Sequence, residues 1–370
     1  MNKTYILFWG LVTLLWISCS KSSPDTTRVD PPEEDNRSLR ERYSTASSHW
    51  PKAEWYAGIA QRELAELPVN PSTAKPELIQ LGKVLFFDNR LGSGDNSCAS
   101  CHNPNTYWID QKKVAVGVGV HHRNTPTMEN VWYLDGGLFH DGRAATYAEQ
   151  IAEAIESPIE MGGNLETLPW ALQLIAGYGP MFRQAYGDDQ ITKERILDAI
   201  TAFSKTISSG TTVFDSFLKG SYSALNDQQL QGLHLFRTKG KCINCHNGPF
   251  LTDRQYHNLG YAMDWNGKLD NGRYEATKKE SDLGKFRTPG LRNVVNTAPY
   301  WHNGEIATLA EIIDLKNRGM PHTGRQKPNG QLSDLVQPLR LTKEEQQSII
   351  AFLHTLSSKS AYIDIPALPQ

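Results

Sequence analysis

Hydrophobic positions along the chain recur mainly with the period of an α-helix. Between residues 192 and 208 the apolar side chains fall on one helical face: Ile196, Ala199, Ile200, Phe203 and Ile207. Gly210 follows this stripe and predicts its end. Shorter patterns with the same period predict helices over 76–87, 146–156 and 226–236. The predicted fold class is therefore mainly α.

Two further helices are predicted from the residues that begin them. Thr308 and Thr342 are each followed three positions later by a glutamate, Glu311 and Glu345. In such a capping box the hydroxyl and the carboxylate accept hydrogen bonds from free amides of the first turn. In contrast, alternation between small and branched side chains over 114–120 predicts a strand.

A faint internal repeat predicts two helical domains. The segments 82–86 and 232–236 both begin with glycine and end with phenylalanine, and each precedes a cysteine pair followed by His-Asn. Duplication of one helical unit explains this repeat, with a boundary between residues 210 and 225. At about 150 residues per domain, a chain of 370 residues agrees with two. We therefore expect domains over 46–215 and 216–370.

The first 45 residues differ in character from the rest. A run of 13 mostly apolar residues over 5–17 is too short to cross a bilayer about 30 Å thick and predicts an export signal over 1–19. The four residues ending at Cys19 resemble a bacterial lipoprotein cleavage box, which would place a lipid on this cysteine. Residues 20–45, rich in Ser, Pro, Asp and Glu, predict a flexible tether. We expect a periplasmic protein that is lipid-anchored to a membrane.

Charge and composition exclude several classes of protein. Lys and Arg number 38 against 40 Asp and Glu, a net charge of -2 that argues against a nucleic-acid partner. A hydrophobic share of 39% excludes wholesale disorder, and five cysteines are too few for a disulfide miniprotein. Apart from Cys19, the cysteines lie in two pairs.

Each cysteine pair belongs to a Cys-x-x-Cys-His motif, the pattern for covalent c-type haem attachment. The motifs are Cys98, Cys101 and His102, and then Cys242, Cys245 and His246. Thiols three residues apart reach the two vinyl groups of one porphyrin, while the following imidazole reaches the iron. A four-cysteine zinc site normally separates its pairs by about 15–20 residues, whereas 140 residues separate these pairs. A dithiol redox pair would need a βαβ context that is missing, so we predict two covalently bound c-type haems.

Several other motifs follow one another between residues 71 and 356. They are Leu81-Gly82-x-x-Leu85-Phe86-Phe87-Asp88, Arg123-Asn124-Thr125-Pro126-Thr127, Asp141-Gly142-Arg143, Pro158-Ile159-Glu160-Met161, Phe286-Arg287-Thr288-Pro289-Gly290-Leu291-Arg292-Asn293 and Thr297-Ala298-Pro299-Tyr300. In these motifs the chain resembles the bacterial di-haem cytochrome c peroxidases and the related MauG-type oxidases. The resemblance implies two cytochrome c-like helical domains, each carrying one haem.

The resemblance also implies an activity and its partners. Hydrogen peroxide would react at the haem held by His102, and electrons would enter at the haem held by His246. The electron donor would be a small redox protein, either a cytochrome c or a cupredoxin, and the enzyme could be a homodimer. The alternatives are a MauG-like oxidase of another macromolecule and a di-haem electron carrier without catalysis.

Further site residues are implied by their positions in the motifs. Glu160 matches the acid-base carboxylate of the family and Gln150 its polar neighbour. Peroxide needs such a group because one oxygen must lose a proton and the other must gain one before the O–O bond breaks. Asn124, Thr297 and Pro299 match a calcium site between the domains, and oxygen ligands suit Ca²⁺.

The chain departs from the family at the electron-entry haem. Lys316 stands where relatives have a Met or Tyr iron ligand, and it continues the apolar face of the helix that begins after Thr308. A buried lysine is neutral or paired, and a neutral amine is a credible iron ligand that would lower the haem potential. Met320 and His322 are alternative ligands, and a lysine that reaches solvent is the ordinary interpretation.

Two other departures concern histidines. His140 replaces the tryptophan that the family has between its haems, so electrons cross without a relay or a nearby aromatic such as Trp132 substitutes. MauG-type oxidation is correspondingly less favoured. His121 and His122 lie where many relatives carry a histidine that caps the peroxide-reacting iron, and either is predicted as that ligand, although both could simply be exposed.

Overall fold

The computed structural model describes the chain in several ranges. These are residue 1 and residues 37–134, 136–264, 266–320, 329–359 and 363–370. The export signal beyond Met1, the lipidation site Cys19, most of the tether and His322 lie outside them. None of the helices in these ranges is both long enough and apolar enough to span a membrane.

The described chain is mainly helical. Its α-helices are α1 (Leu39–Tyr43), α2 (Pro76–Phe87), α3 (Cys98–Cys101), α4 (Tyr147–Glu156), α5 (Leu168–Gln173), α6 (Tyr178–Tyr186), α7 (Lys193–Ser204), α8 (Val213–Leu218), α9 (Asp227–Arg237), α10 (Tyr274–Thr277), α11 (Leu309–Asn317) and α12 (Lys343–His354). Two short strands, β1 (Tyr256–His257) and β2 (Phe286–Arg287), pair antiparallel. The predicted mainly α class is confirmed.

The helix starts follow the capping signals in the sequence. The Thr308 and Thr342 hydroxyls accept hydrogen bonds from the amides of Glu311 and Glu345, both at 3.2 Å, so both predicted capping boxes are present. Helices α2, α4 and α9 also begin where predicted. Helix α7 ends at Ser204, before the predicted 208. The Thr206 amide and hydroxyl both donate to one carbonyl there, which tightens the chain out of α-helical geometry.

The strand predicted over 114–120 is wrong. The segment turns back on itself, with a bridge between Val116 and Val120, and its glycines press against another backbone. A Cβ added to Gly117 would lie 2.2 Å from the carbonyl oxygen of Glu160. The amide of Val118 donates to that same oxygen at 2.9 Å. The alternation of small and branched residues therefore reflects close packing of two loops.

Two hydrophobic cores organise the helices. The first core contains side chains from α2, α4, α5, α6 and α7, and Cys98 packs against it. The second contains side chains from α8, α9, α11 and α12, and Cys242 packs against it. Each cysteine motif thus lies beside its own core. The domain limits 46–215 and 216–370 stay a prediction.

The cores contain the same helix crossing. A Cβ on Gly82 of α2 would lie 1.8 Å from the Ala199 carbonyl oxygen of α7. A Cβ on Gly232 of α9 would lie 1.9 Å from the backbone carbonyl oxygen of Ser348 in α12. A phenylalanine follows each of these carbonyls four residues later: Phe203 and Phe352. The sequence repeat therefore records a repeated contact, in which only glycine lets the backbones approach so closely.

The ends of the described chain pack on the core that is remote in sequence. Tyr43, Trp50 and Leu64 are buried in the second core, and the Arg237 guanidinium donates to the Tyr43 hydroxyl at 2.7 Å. Leu39–Tyr43 is helical, so the tether predicted for 20–45 ends earlier than expected, because Tyr43 has a buried site to fill.

Candidate haem and peroxide site

The first motif is built on a short helix and its end. Helix α3 carries Cys98 and Cys101 one turn apart, and a capping box formed by Ser97 and Ser100 begins it. His102 follows, and its Nδ1–H donates to the backbone carbonyl of Trp108 at 3.1 Å. This bond orients the ring and leaves the Nε2 lone pair for iron, as in metal-binding histidines generally.

The second motif repeats this arrangement. Cys242 begins a 3₁₀ turn, Cys245 ends it, and the Nδ1–H of His246 donates to the Leu251 carbonyl at 2.9 Å. Burial lowers the pKa of His246 to about 4 and also lowers the pKa of His102. Both imidazoles are thus neutral and oriented, so the residues present fit two covalently attached haems.

A cavity of 390 Å³ opens beside the second motif. Its lining includes all the described residues predicted around the electron-entry haem: Cys242, Cys245, His246, Lys316 and Met320. Lys316 projects from α11 as predicted, and its Nζ lies 5.7 Å from the centroid of the Trp301 ring. Burial lowers the pKa of its ammonium group, which favours the neutral amine.

The predicted calcium residues line this same cavity. Asn124, Thr297 and Pro299 come from distant segments and all belong to its wall. The Nδ2 of Asn124 donates to the Lys112 carbonyl at 2.7 Å, so its Oδ1 is the side-chain atom left for a cation. The Thr297 hydroxyl donates to the Val294 carbonyl at 3.1 Å.

Glu160 lies beside the first motif. The next residue, Met161, places its Sδ 4.0 Å from the Sγ of Cys98. The charge of Glu160 also contributes to the raised pKa values of Cys98 and Cys101, whose main cause is burial. The Glu160 side chain is 25% exposed. Burial raises its pKa to about 7, although the nearby Arg143 guanidinium acts in the opposite direction.

Helix α4 contributes the neighbours of this carboxylate. Gln150 is half-buried on it, one turn before Glu153. Glu153 accepts a hydrogen bond from Arg143 at 2.5 Å, and its charge raises the pKa of Glu160. The structure thus places the helix of Gln150 near Glu160 and gives no direct hydrogen bond between the two side chains.

The two histidines of the 114–122 loop have different surroundings. Their rings stack with centroids 4.5 Å apart. The Nε2 of His121 lies 3.4 Å from Oε1 of Glu160, and burial lowers the pKa of His121 to about 3. The Nε2 of His122 instead lies 3.8 Å from Oδ2 of Asp270. Sequence reasoning did not find the pair of His121 with Glu160, because the two residues are 39 positions apart.

A buried ion network fixes this loop. Arg123 donates to both carboxylate oxygens of Asp270 at 2.8 Å and to Asp141 at 2.6 Å. These charges lower the pKa of both carboxyl groups. Arg123 and Asp141 belong to two of the sequence motifs named above, whereas no sequence signal identified Asp270 as their partner.

The residues predicted to lie between the haems also line the cavity or border it. The Nε2 of His140 bonds to the Asn124 carbonyl at 2.9 Å, and its side chain lines the cavity. The indole of Trp132 donates to Ser208 at 2.8 Å and meets Phe250 edge-on, 5.2 Å between centroids. Phe250 is itself part of the cavity wall.

Comparison with known proteins agrees with this geometry. The sequence model described as di-haem cytochrome c peroxidase matches residues 76–223. The methylamine utilization protein MauG of Methylorubrum extorquens is 34% identical over 306 residues, which cover 81% of this chain and 83% of that protein. The cytochrome c551 peroxidase of Pseudomonas aeruginosa is 34% identical over 299 residues, covering 78% and 81%. The chain belongs to the di-haem cytochrome c peroxidase family.

Membership of the di-haem peroxidase family agrees with the fold and accounts for both cysteine motifs. A crystal structure of a MauG-like protein associated with microbial copper homeostasis superposes with a TM-score of 0.69 at 28% identity, covering 83% of this chain and 97% of that one. The chain is therefore a haem-dependent peroxidase with two c-type haems, which confirms the predicted family, enzyme class and haem content.

Proposed function

We propose that the chain reduces hydrogen peroxide to water with electrons from a small redox protein, and that peroxide reacts at the first motif. One observation carries this assignment: Glu160, a half-buried carboxyl group with a pKa raised to about 7, lies next to Cys98 and Cys101. A carboxyl group that titrates near neutral pH both accepts and returns a proton readily.

Six residues of the two motifs hold the haems, and Glu160 moves protons. Cys98, Cys101 and His102 hold one haem, and Cys242, Cys245 and His246 hold the other. When bound, these haems supply the iron centre for peroxide and the redox centre for electron entry. Glu160 takes a proton from one peroxide oxygen and returns it to the other, so that two electrons and two further protons yield two waters. Gln150 is the polar neighbour in this proposal.

At the second motif we assign Lys316 as the further iron ligand. Three features support it: its place on the cavity wall with His246, its position on α11, and the burial that favours its neutral amine. Met320 lines the same wall and is the alternative described by the structure.

We include in the proposal a calcium ion at Asn124, Thr297 and Pro299, because these three residues line the same cavity and the Oδ1 of Asn124 is left for a cation. We also propose that the chain forms two domains, one around each hydrophobic core. Export to the periplasm, lipidation of Cys19 and homodimer formation stay predictions. So does an iron-capping role for His121 or His122.

The experiment is steady-state peroxide reduction by the mature holoenzyme with a reduced cytochrome c or cupredoxin. Glu160→Gln should lower turnover about 100-fold or more, as expected when acid-base catalysis is lost, while both haem spectra stay unchanged. Glu166→Gln is the matched control, since this exposed carboxylate pairs with Lys193 at 2.7 Å. Equal turnover in the two variants would contradict the assignment of Glu160.

A MauG-like oxidase is the second candidate, because the MauG and peroxidase relatives are equally similar at 34% identity. Such an enzyme would oxidise another macromolecule with peroxide in the absence of the electron donor. Turnover that requires the donor favours the peroxidase, and no reaction with peroxide in either assay would leave only an electron carrier.

A further inference from the structure

The contact between His121 and Glu160 joins a loop histidine to the proposed acid-base group. The distance of 3.4 Å between Nε2 and Oε1 is longer than the roughly 2.7–3.2 Å of an ordinary N–H···O hydrogen bond. Such contacts are often long in the absence of substrate and tighten when the site is filled. We propose that His121 is a positioning residue that donates its Nε2–H to Glu160, which rests on the peroxidase function proposed above.

The hydrogen bonds of His121 assign its proton. The backbone amide of Arg123 donates to Nδ1 of His121 at 2.9 Å, so Nδ1 acts as an acceptor and carries no proton. In a neutral imidazole the proton is then on Nε2, the atom that faces Glu160. An Nε2 that carries a proton has no lone pair for iron, so in this arrangement His121 is a donor to the carboxylate and not an iron ligand.

The backbone keeps the two side chains opposite each other. The amides of Val118 and Gly119 donate to the carbonyls of Glu160 and Ile159 at 2.9 and 3.0 Å. A Cβ on Gly117 would lie 2.2 Å from the carbonyl oxygen of Glu160, and one on Gly119 would lie 3.2 Å from the Ile159 side chain, so neither position carries a larger side chain without a shift. The loop that ends in His121 is therefore bonded directly to the segment that carries Glu160.

The other side of His121 is also fixed. Its ring stacks on His122 at an interplanar angle of 15°. Arg123, the donor to Nδ1, is buried and bound to Asp141 and Asp270. A donor with so little freedom can hold one carboxylate oxygen and leave the other for peroxide.

This role has a defined effect on Glu160. A hydrogen bond to the carboxylate stabilises its charged form and opposes the burial that raises its pKa. The other charged groups that act on Glu160 are Arg143, which favours the carboxylate, and Glu153, which disfavours it. Around His121 the charged and titratable groups are His122, Arg123, Arg143 and His140. None of these donates to the Glu160 carboxylate in the described residues.

The test compares His121→Leu, His121→Gln and a Val120→Ala control in the holoenzyme; the Val120 side chain lies in the same loop and is 53% exposed. The readout is the infrared carboxyl band that Glu160→Gln removes, followed through a pH titration. His121→Leu should move this titration to higher pH and lower turnover about tenfold, because a hydrogen bond to a charged group is lost. His121→Gln should restore both in part, since its amide also donates. Val120→Ala should leave the band in place.

Three results would overturn the proposal. An unmoved carboxyl titration in His121→Leu would show that the contact is incidental. An equal movement in Val120→Ala would show general disturbance of the loop. A change of the resting haem from six-coordinate to five-coordinate in His121→Leu, seen by electron paramagnetic resonance, would make His121 an iron ligand. The infrared titration is independent of turnover, so failure of the peroxidase function would appear separately, as an inactive parent enzyme.

Discussion

At Glu160, burial and neighbouring charges set the protonation state of one side chain. Burial removes water from the carboxylate and raises its pKa to about 7, and Arg143 opposes this only in part. The carboxyl group of Asp141 is buried as well, but its two arginine partners lower its pKa. Two carboxyl groups within 20 residues thus differ in charge: the arginines keep Asp141 ionised, whereas the raised pKa of Glu160 suits the acid-base role proposed for it.

The first prediction concerns the pH dependence of peroxide turnover. In the proposed reaction Glu160 begins as a carboxylate, and its raised pKa keeps it protonated below about 7. We expect kcat/KM to fall as the pH decreases through about 7, whereas an ordinary glutamate would retain activity down to 4.5. Initial rates across this range measure the effect. The residual activity of Glu160→Gln should not fall as the pH decreases through this range. If it still falls, the titration belongs to another group.

The second prediction concerns the further iron ligand of the haem held by His246. It distinguishes Lys316 from Met320, the two candidates that the structure describes. Lys316→Met should change the spectrum of this haem alone and raise its midpoint potential, because a thioether replaces a nitrogen ligand. Met320→Leu is the matched variant and should leave both properties unchanged. Potentiometric titration with absorbance detection measures both. If Met320→Leu changed the spectrum and the midpoint potential while Lys316→Met left both unchanged, Met320 would be the iron ligand.

At the scale of secondary structure elements, the repeated crossing of α2 with α7 and of α9 with α12 defines the two cores. In both pairs a glycine faces a backbone carbonyl at a distance that no side chain allows. Because helix packing of this kind depends on the absence of one Cβ, the same substitution should have the same effect in each core.

The third prediction tests this equivalence by glycine substitution. Gly82→Ala and Gly232→Ala should each lower the free energy of unfolding by about 1–3 kcal/mol, since the added methyl group forces the helices apart. Gly179→Ala is the control, because this glycine of α6 has its nearest neighbour at 3.8 Å and alanine is the better helix former. Denaturant unfolding of the three variants measures the effect. Equal stability of Gly232→Ala and Gly179→Ala would contradict the crossing.

Elements with local signals could be predicted from the sequence, and contacts between distant residues could not. The capping boxes at Thr308 and Thr342 need only four consecutive residues, and both helices begin there. The position of Lys316 on an apolar face follows from helical spacing in the same way. In contrast, the pairing of Arg123 with Asp270 joins residues 147 apart, and the 114–120 loop imitates a strand because its glycines alternate. The contact of His121 with Glu160 depends on that loop, and so it was missed.

For the whole molecule, the ends of the described chain cross between the cores. Trp50 and Leu64 fill the second core, although the first motif follows them in sequence. Ile363 and Leu368 pack against the first core, although they follow the second motif. The Arg90 guanidinium donates to the Pro369 carbonyl at 3.0 Å, and the Gly177 amide donates to the Gln370 carbonyl at 3.2 Å. Each core therefore includes a terminal segment that the sequence repeat would assign to the other core: Trp50 and Leu64 lie in the second core, and Ile363 and Leu368 pack against the first.

The last prediction follows from this exchange. Removal of residues 363–370 should lower the melting temperature of the structure around the His102 haem, because it uncovers apolar surface and leaves the Arg90 and Gly177 contacts unmade. Trp50→Ala should instead destabilise the structure around the His246 haem by about 3–5 kcal/mol, the usual cost of emptying a buried aromatic site. Magnetic circular dichroism would distinguish the two haems during thermal unfolding, because the iron ligands proposed for them differ. If both variants lowered the His102 signal alone, the packing of residues 43–64 on the second core would be wrong, and an identical loss of both signals would show that the two cores unfold as one cooperative unit.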